Sequence, residues 1–227
     1  MTEKKESLRF ENIKLIVFDL DGTLVDTFDD IAAAANYALE RAGYEKMDIG
    51  EIRARVGGGG KNLMRKCMGD DAGEMKIEKA FQDWRDYYAE HPCDFAHAYA
   101  GVEECLEILK QKGITLAVLS NKLDSLTKRI TEELGLDKWL DRVQGEDLSK
   151  PRKPDPTLLE EIMEEYSANR ENTIMVGDGD ADILVALAAS IPAIGVGYGV
   201  HGRLDLENLG ARVVIDDICE LPGLLDG

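Results

Sequence analysis

Four short apolar runs, at residues 15–18, 115–119, 173–176 and 193–196, each stop at a polar or glycine-rich turn, and this recurrence constrains the fold more than any other feature of the chain. The runs are continuous aliphatic and β-branched stretches without polar alternation. A strand with one wetted face alternates, whereas a strand covered on both faces by helices does not, so these read as buried strands of a parallel sheet. A further strand is expected over residues 212–215. Helical patterns fill the gaps at 102–111, 123–134, 156–166 and 181–189, with Pro156 suited to a first turn and Gly113 and Gly135 to helix ends. Strand alternating with helix predicts an α/β fold built on a doubly wound parallel sheet.

One segment breaks this rhythm. Between Thr27 and Pro92 the chain has helical patterns at 31–41, 61–68 and 77–88 and no convincing strand. It reads as an inserted all-helical domain over residues 27–95, leaving 1–26 and 96–227 to build the α/β domain. No internal repeat or low-complexity tract is found.

The charge balance narrows the partners. With 27 basic and 45 acidic residues in 227, the formal net charge is −18, and no basic stripe is present to hold a phosphate backbone, so nucleic acid is excluded as a partner. A small anionic substrate would still need a local cation. The charged start MTEKKESLRFEN has no apolar segment of the secretory kind, and a cytoplasmic protein is expected. The uncharged run at 183–200 is interrupted by Ser190, Pro192, Gly195, Gly197 and Gly199, which favours a buried helix, a short strand and a glycine loop over a membrane span. Cys67, Cys93, Cys105 and Cys219 form no CxxC pair and the three histidines sit at no zinc-ligand spacing, so reduced thiols are expected.

Ligand sites in open α/β sheets gather at the carboxyl ends of strands, where turns distant in sequence can meet. The first such turn, DLDGTLVDT, holds Asp19 and Asp21 two residues apart, a spacing that lets both point into one site. An ionised Asp needs no base to act as a nucleophile, and a partner carboxyl can shuttle a proton; a strand end capped by Asp is the plainer reading of the same run. The second turn, Ser120-Asn121-Lys122, offers a hydroxyl, an amide and backbone N–H groups for phosphate oxygens, though taken by itself it reads first as an ordinary helix cap. Lys153, set before two prolines, supplies a compact charge suited to a phosphate or to crowded carboxylates. The last turn, GDGDAD, has the first three acidic positions of an EF-hand, but Ile183 stands where that loop needs glycine and Ala189 where it needs glutamate. A hard cation such as Mg²⁺ needs only one or two carboxylates, which Asp178 and Asp19 can provide. The run Gly57 to Lys61 is not a P-loop, because Arg55 and Asn62 occupy its required glycine and hydroxyl positions; it reads as a helix-to-helix turn or as a substrate-facing loop.

Taken in order, DLDGTLVDT, LSN, KPDP and VGDGDAD resemble the four motifs of the haloacid dehalogenase-like hydrolases across residues 19–182. The resemblance implies a Rossmann-like core with a helical cap inserted after the first strand. It also implies Asp19 as the nucleophile that forms an aspartyl-phosphate and Asp21 as the acid and then base. Ser120, Asn121 and Lys153 would hold the substrate. Mg²⁺ would be bound by the carboxylates of Asp19 and Asp178 and the main-chain carbonyl of Asp21, with Asp182 in support. Gly179 departs from the pattern, since many relatives carry Ser or Thr there. Dehalogenating members lack a carboxylate at the position of Asp21, so phosphate-ester hydrolysis is favoured. The segment RVGGGGKNLM looks like the corresponding cap segment of phosphoglycolate phosphatases, where Lys61 would meet a substrate carboxylate or else remain a surface lysine.

The expectation is therefore a Mg²⁺-dependent phosphomonoester hydrolase acting on a small phosphorylated metabolite, best exemplified by phosphoglycolate, with neither nucleic acid nor membrane as partner. A sugar phosphomutase, an inorganic pyrophosphatase and a catalytically silent binder of phosphometabolites are the alternatives. Carboxylates crowded at residues 19, 21, 178 and 182 would repel one another unless a divalent cation and Lys153 compensate, which also explains how an acidic protein can hold an anion.

Overall fold

The computed structural model describes residues 9–69 and 71–225. The chain forms two compact units, one made of the residues up to Val25 with those from Ala98 onward, the other of Asp26–His97. In chain order the first elements are β1 (Leu15–Phe18), β2 (Val25–Asp26), α1 (Phe28–Arg41), α2 (Ile49–Arg53), α3 (Gly60–Met68), α4 (Glu74–Glu90) and β3 (His97–Ala98). They are followed by α5 (Val102–Gln111), β4 (Thr115–Leu123), α6 (Asp124–Glu133), β5 (Arg142–Glu146), α7 (Thr157–Glu165), β6 (Thr173–Gly177), α8 (Asp180–Ala189), β7 (Ala193–Val196), α9 (Arg203–Leu209) and β8 (Val213–Ile215). The chain passes between the units within β2 and β3, which pair as a two-stranded ribbon.

The α/β unit holds a six-stranded parallel sheet ordered β5-β4-β1-β6-β7-β8. β1, β6 and β7 are buried at every residue, the physical counterpart of their unbroken apolar sequences. β5 has the sequence RVQGE and is mostly half-buried at the sheet edge, so no apolar run announces it. On one face Leu15, Val17, Leu119 and Met175 pack against Leu159, Ile162 and Ile183 of α7 and α8. Each such side chain contributes roughly 1.5–3 kcal/mol by leaving water. The 183–200 run resolves into the end of α8, then β7, then a glycine-containing loop, and no described helix is long and apolar enough to cross a membrane. All four cysteines are free.

The inserted unit is helical. Ala32, Ala35 and Ala38 give α1 a buried face of small side chains, and Tyr37 stacks on Tyr87 of α4 with ring centroids 4.5 Å apart. The glycine run joins α2 to α3: Gly57, Gly58 and Gly59 take positive φ (120°, 73° and 83°), and Gly60 lies so close to Trp84 that a Cβ there would come within 2.5 Å of the indole. Asp30, buried on α1, accepts N–H bonds from Asp94 (3.1 Å), Phe95 (3.1 Å) and Ala96 (2.7 Å), tying down the segment that leads into β3.

Candidate active site

Register alone places the chemistry. Phe18 is level with Val118 on one side and Val176 on the other, so Asp19, Ser120 and Asp178 emerge on one rim of the sheet within a residue of each other. The Asp19 N–H donates to the Val176 carbonyl (2.9 Å), fixing where β1 ends. Asp182 stands on the first turn of α8, with Oδ2 accepting the Gly179 N–H (2.9 Å), and its Oδ1 accepts from Lys153 Nζ (2.6 Å). Lys153 also donates to Asp19 Oδ1 (2.8 Å), so one buried ammonium bridges two carboxylates.

Asp178 occupies a space that only glycine neighbours permit. A Cβ on Gly22 or on Gly199 would lie 2.2 Å from Asp178 Oδ2. Its oxygens accept from Thr23 Oγ1 (3.2 Å) and from the Val200 N–H (2.7 Å), while the Tyr198 hydroxyl donates to the Thr23 carbonyl (2.8 Å). The loop after β7 thus packs both on Asp178 and on the turn that follows β1.

Oxygens of Asp19, Asp178 and Asp182 all fall within 4.8 Å of one another. Burial pushes the Asp19 carboxyl up to about 7 from 3.8, with Lys153 pulling it down and Asp182 and Asp21 adding to the rise. Burial, then Asp19 and Asp182, pushes Asp178 well above the usual carboxylate range. For Lys153 burial acts downward, but attraction to Asp182 and Asp19 outweighs it and the ammonium is held above its ordinary value. The cluster therefore carries more buried negative charge than its lysine neutralises and seeks another positive charge. Hard oxygen donors at this spacing suit a divalent cation.

The remaining candidates are placed differently from one another. Both Asp21 oxygens are held by Lys122 Nζ, at 2.8 and 2.9 Å. Ser120 is buried and its Oγ accepts the Lys122 N–H (3.2 Å). Asn121 donates its amide to the Lys153 carbonyl (2.9 Å), so it braces the lysine-bearing turn. Lys61 belongs to the inserted unit and pairs there with Glu74 (2.9 Å) and Glu78 (2.7 Å). The sequence reading gave no separate role to Lys122 or to Tyr198, Gly199 and Val200. Ser120 and Lys122 repeat the two-residue spacing of Asp19 and Asp21, which was the available signal for the lysine; nothing in composition marks Gly199 as a neighbour of Asp178.

Comparison with known proteins agrees with this geometry. The sequence profile of the family described as haloacid dehalogenase-like hydrolase matches residues 16–196. The chain is 33% identical over 217 residues to the phosphoglycolate phosphatase of Vibrio parahaemolyticus, covering 93% of this chain and 95% of that protein. It is 37% identical over 171 residues to the phosphoglycolate phosphatase of Aquifex aeolicus, covering 75% of this chain and 78% of that protein. Among solved structures it is similar to a predicted phosphoglycolate phosphatase from Haemophilus somnus (TM-score 0.86, 26% identity, 94% of this chain and 98% of that one). It is also similar to a predicted phosphatase from Clostridium acetobutylicum (TM-score 0.84, 28% identity, 93% and 97%). Profile, relatives and strand-end carboxylates converge, and the chain belongs to the haloacid dehalogenase-like hydrolase family.

Proposed function

We propose that this protein is a Mg²⁺-dependent phosphomonoesterase that hydrolyses a small phosphorylated metabolite, phosphoglycolate being the best candidate, through a phosphoryl group carried on Asp19. The observation that carries the reading is the meeting of Asp19, Asp178, Asp182 and Lys153 in one buried cluster, with Asp21 two residues from Asp19. The similarity to phosphoglycolate phosphatases over most of the chain supports the substrate class.

Asp19 and Asp178 would hold the metal with the Asp21 main-chain carbonyl, while Asp182 keeps Lys153 and the turn at Gly179 in place. When bound, a divalent cation offsets the repulsion between the phosphate dianion and the attacking carboxylate. An Asp19 oxygen attacks phosphorus as the ester P–O bond breaks, and the leaving oxygen takes a proton from Asp21. Asp21, now a carboxylate, then removes a proton from the water that attacks the phosphorus of the aspartyl-phosphate, returning Asp19 and releasing inorganic phosphate. Ser120 and Lys153 hold the phosphoryl oxygens through both steps. The inserted helical unit, residues 27–95, is assigned as the family's cap.

The test is phosphate release from a panel of phosphorylated metabolites, pyrophosphate and glucose 1-phosphate included, with magnesium and with chelator. Release from phosphoglycolate that stops on chelation and resumes with magnesium is expected. Conversion of glucose 1-phosphate to glucose 6-phosphate without free phosphate would replace hydrolysis with phosphoryl return.

A further inference from the structure

We infer that Lys122 is a positioning residue for Asp21, fixing the direction from which that carboxyl meets the leaving oxygen. The inference rests on the reading of Asp21 as the proton donor. Lys122 Nζ contacts both Asp21 oxygens, at 2.8 and 2.9 Å, and its side chain is only 4% exposed. A surface Lys–Asp pair reorients freely and is worth little, whereas a buried ammonium is costly to desolvate and is tolerated only with close pairing. The backbone beneath it is pinned as well. The Lys122 N–H donates to Ser120 Oγ (3.2 Å), its carbonyl accepts from Thr127 Oγ1 (3.2 Å), and the neighbouring Asp124 accepts the Gly145 N–H of β5 (3.0 Å).

The site therefore assigns its two lysines separately. Lys153 spans Asp19 and Asp182, and Lys122 pairs with Asp21. With both oxygens in contact with one buried ammonium, the Asp21 carboxyl as a whole is held in a fixed orientation. Position matters most where a proton must be delivered: as the P–O bond breaks, an alkoxide leaving group has to take the Asp21 proton. A nitrophenolate departs with the bonding electron pair and needs none. Loss of Lys122 should thus fall on alkyl esters and spare aryl esters, a difference that a merely structural ion pair would not produce.

The experiment compares kcat/KM on phosphoglycolate, or another alkyl ester the wild type turns over, with that on 4-nitrophenyl phosphate, for the wild type, Lys122→Met, Lys122→Arg and Asp21→Asn. Lys122→Met is expected to lose at least about tenfold more on the alkyl ester than on the aryl ester, and Lys122→Arg to recover most of that difference. Equal losses on both esters, or no loss, would overturn the inference. Selective loss in Asp21→Asn without it in Lys122→Met defeats the positioning role alone. Equal losses in Asp21→Asn defeat the proton-donor reading and the inference with it. Should the methionine variant not fold, Lys122→Gln, able to hold only one oxygen, decides the same comparison by the same outcomes.

Discussion

Replacing Lys153 with methionine tests the electrostatic balance of the site directly. Lys153 is 4% exposed, and its Nζ lies 2.8 Å from Asp19 Oδ1 and 2.6 Å from Asp182 Oδ1. Methionine fills nearly the same space and leaves both carboxylates without their cation. Removing one member of a buried ion pair costs about 3–5 kcal/mol, because the remaining charge stays desolvated and unpaired. The cost should depend on pH in a definite sense. Burial lowers the Lys153 value but Asp182 and Asp19 raise it further, so its folded value lies above 10.5 and its contribution is fully present at neutral pH, fading only in strong alkali. Asp19 is raised in the folded chain to about 7 from 3.8, so in metal-free protein its contribution is present at low pH and is lost as pH climbs through about 7. Without Lys153 the pull that lowers Asp19 is gone and its carboxyl rises further, so a proton can replace the missing ammonium, cheaply at about pH 5 and at growing cost as pH climbs toward about 8. Urea denaturation in chelator, read from midpoint and slope, should show a small loss in the variant at the lower pH and the full ~3–5 kcal/mol at the higher. Saturating magnesium should return part of that loss, since a ligand of the folded state alone stabilises it. A loss below about 1 kcal/mol at the higher pH, or the same loss at both, would refute the reasoning.

Asp19→Asn should lower phosphate release by at least about a thousandfold while leaving the thermal midpoint of unfolding close to that of the wild type; retained turnover of 4-nitrophenyl phosphate would remove Asp19 from its proposed role. Gly199→Ala places a methyl 2.2 Å from Asp178 Oδ2 and should weaken magnesium binding about 10–100-fold by calorimetric titration, with unchanged affinity counting against the cradle around Asp178. Asp30→Ala strips the acceptor from the N–H groups of Asp94, Phe95 and Ala96 and should cost about 1–3 kcal/mol. Limited proteolysis should then cut faster at the exposed Phe95, and an unchanged cleavage rate would show that Asp30 does not hold this segment.

The sequence was most legible where burial is complete. β1, β6 and β7 have no wet face, so hydropathy marks them within a residue of their observed ends. Most helices are nearly as clear, because an apolar stripe leaves a 3.6-residue period, but the short α2 and α9, of five and seven residues, are too brief to show one and were missed. β5 was missed because an edge strand with the sequence RVQGE buries little, and β2 and β3 because two residues carry no periodicity. β4 runs to Leu123, beyond the apolar run that ends at Leu119, through an irregular register that includes the polar residues 120–122. In the site, the acidic residues were legible as residue types following strands, and parallel register turned that order into proximity. What spacing could not supply was pairing. Nothing in the chain's order says that Lys122 faces Asp21, that Asn121 braces Lys153, or that Gly199 abuts Asp178, since each depends on side-chain directions across segments far apart in sequence.

The middle position of β1 carries a kinetic corollary. Its two neighbours come from segments about a hundred residues or more further along the chain, so the rim that carries Asp19, Ser120 and Asp178 cannot be assembled from any short contiguous fragment. Intermediates that hold only local helices and one strand pairing would be chemically inert. After dilution from denaturant, regained turnover should lag the return of helical ellipticity and keep time with the last long-range closure, making the enzyme's own reaction a stopwatch for its slowest assembly event.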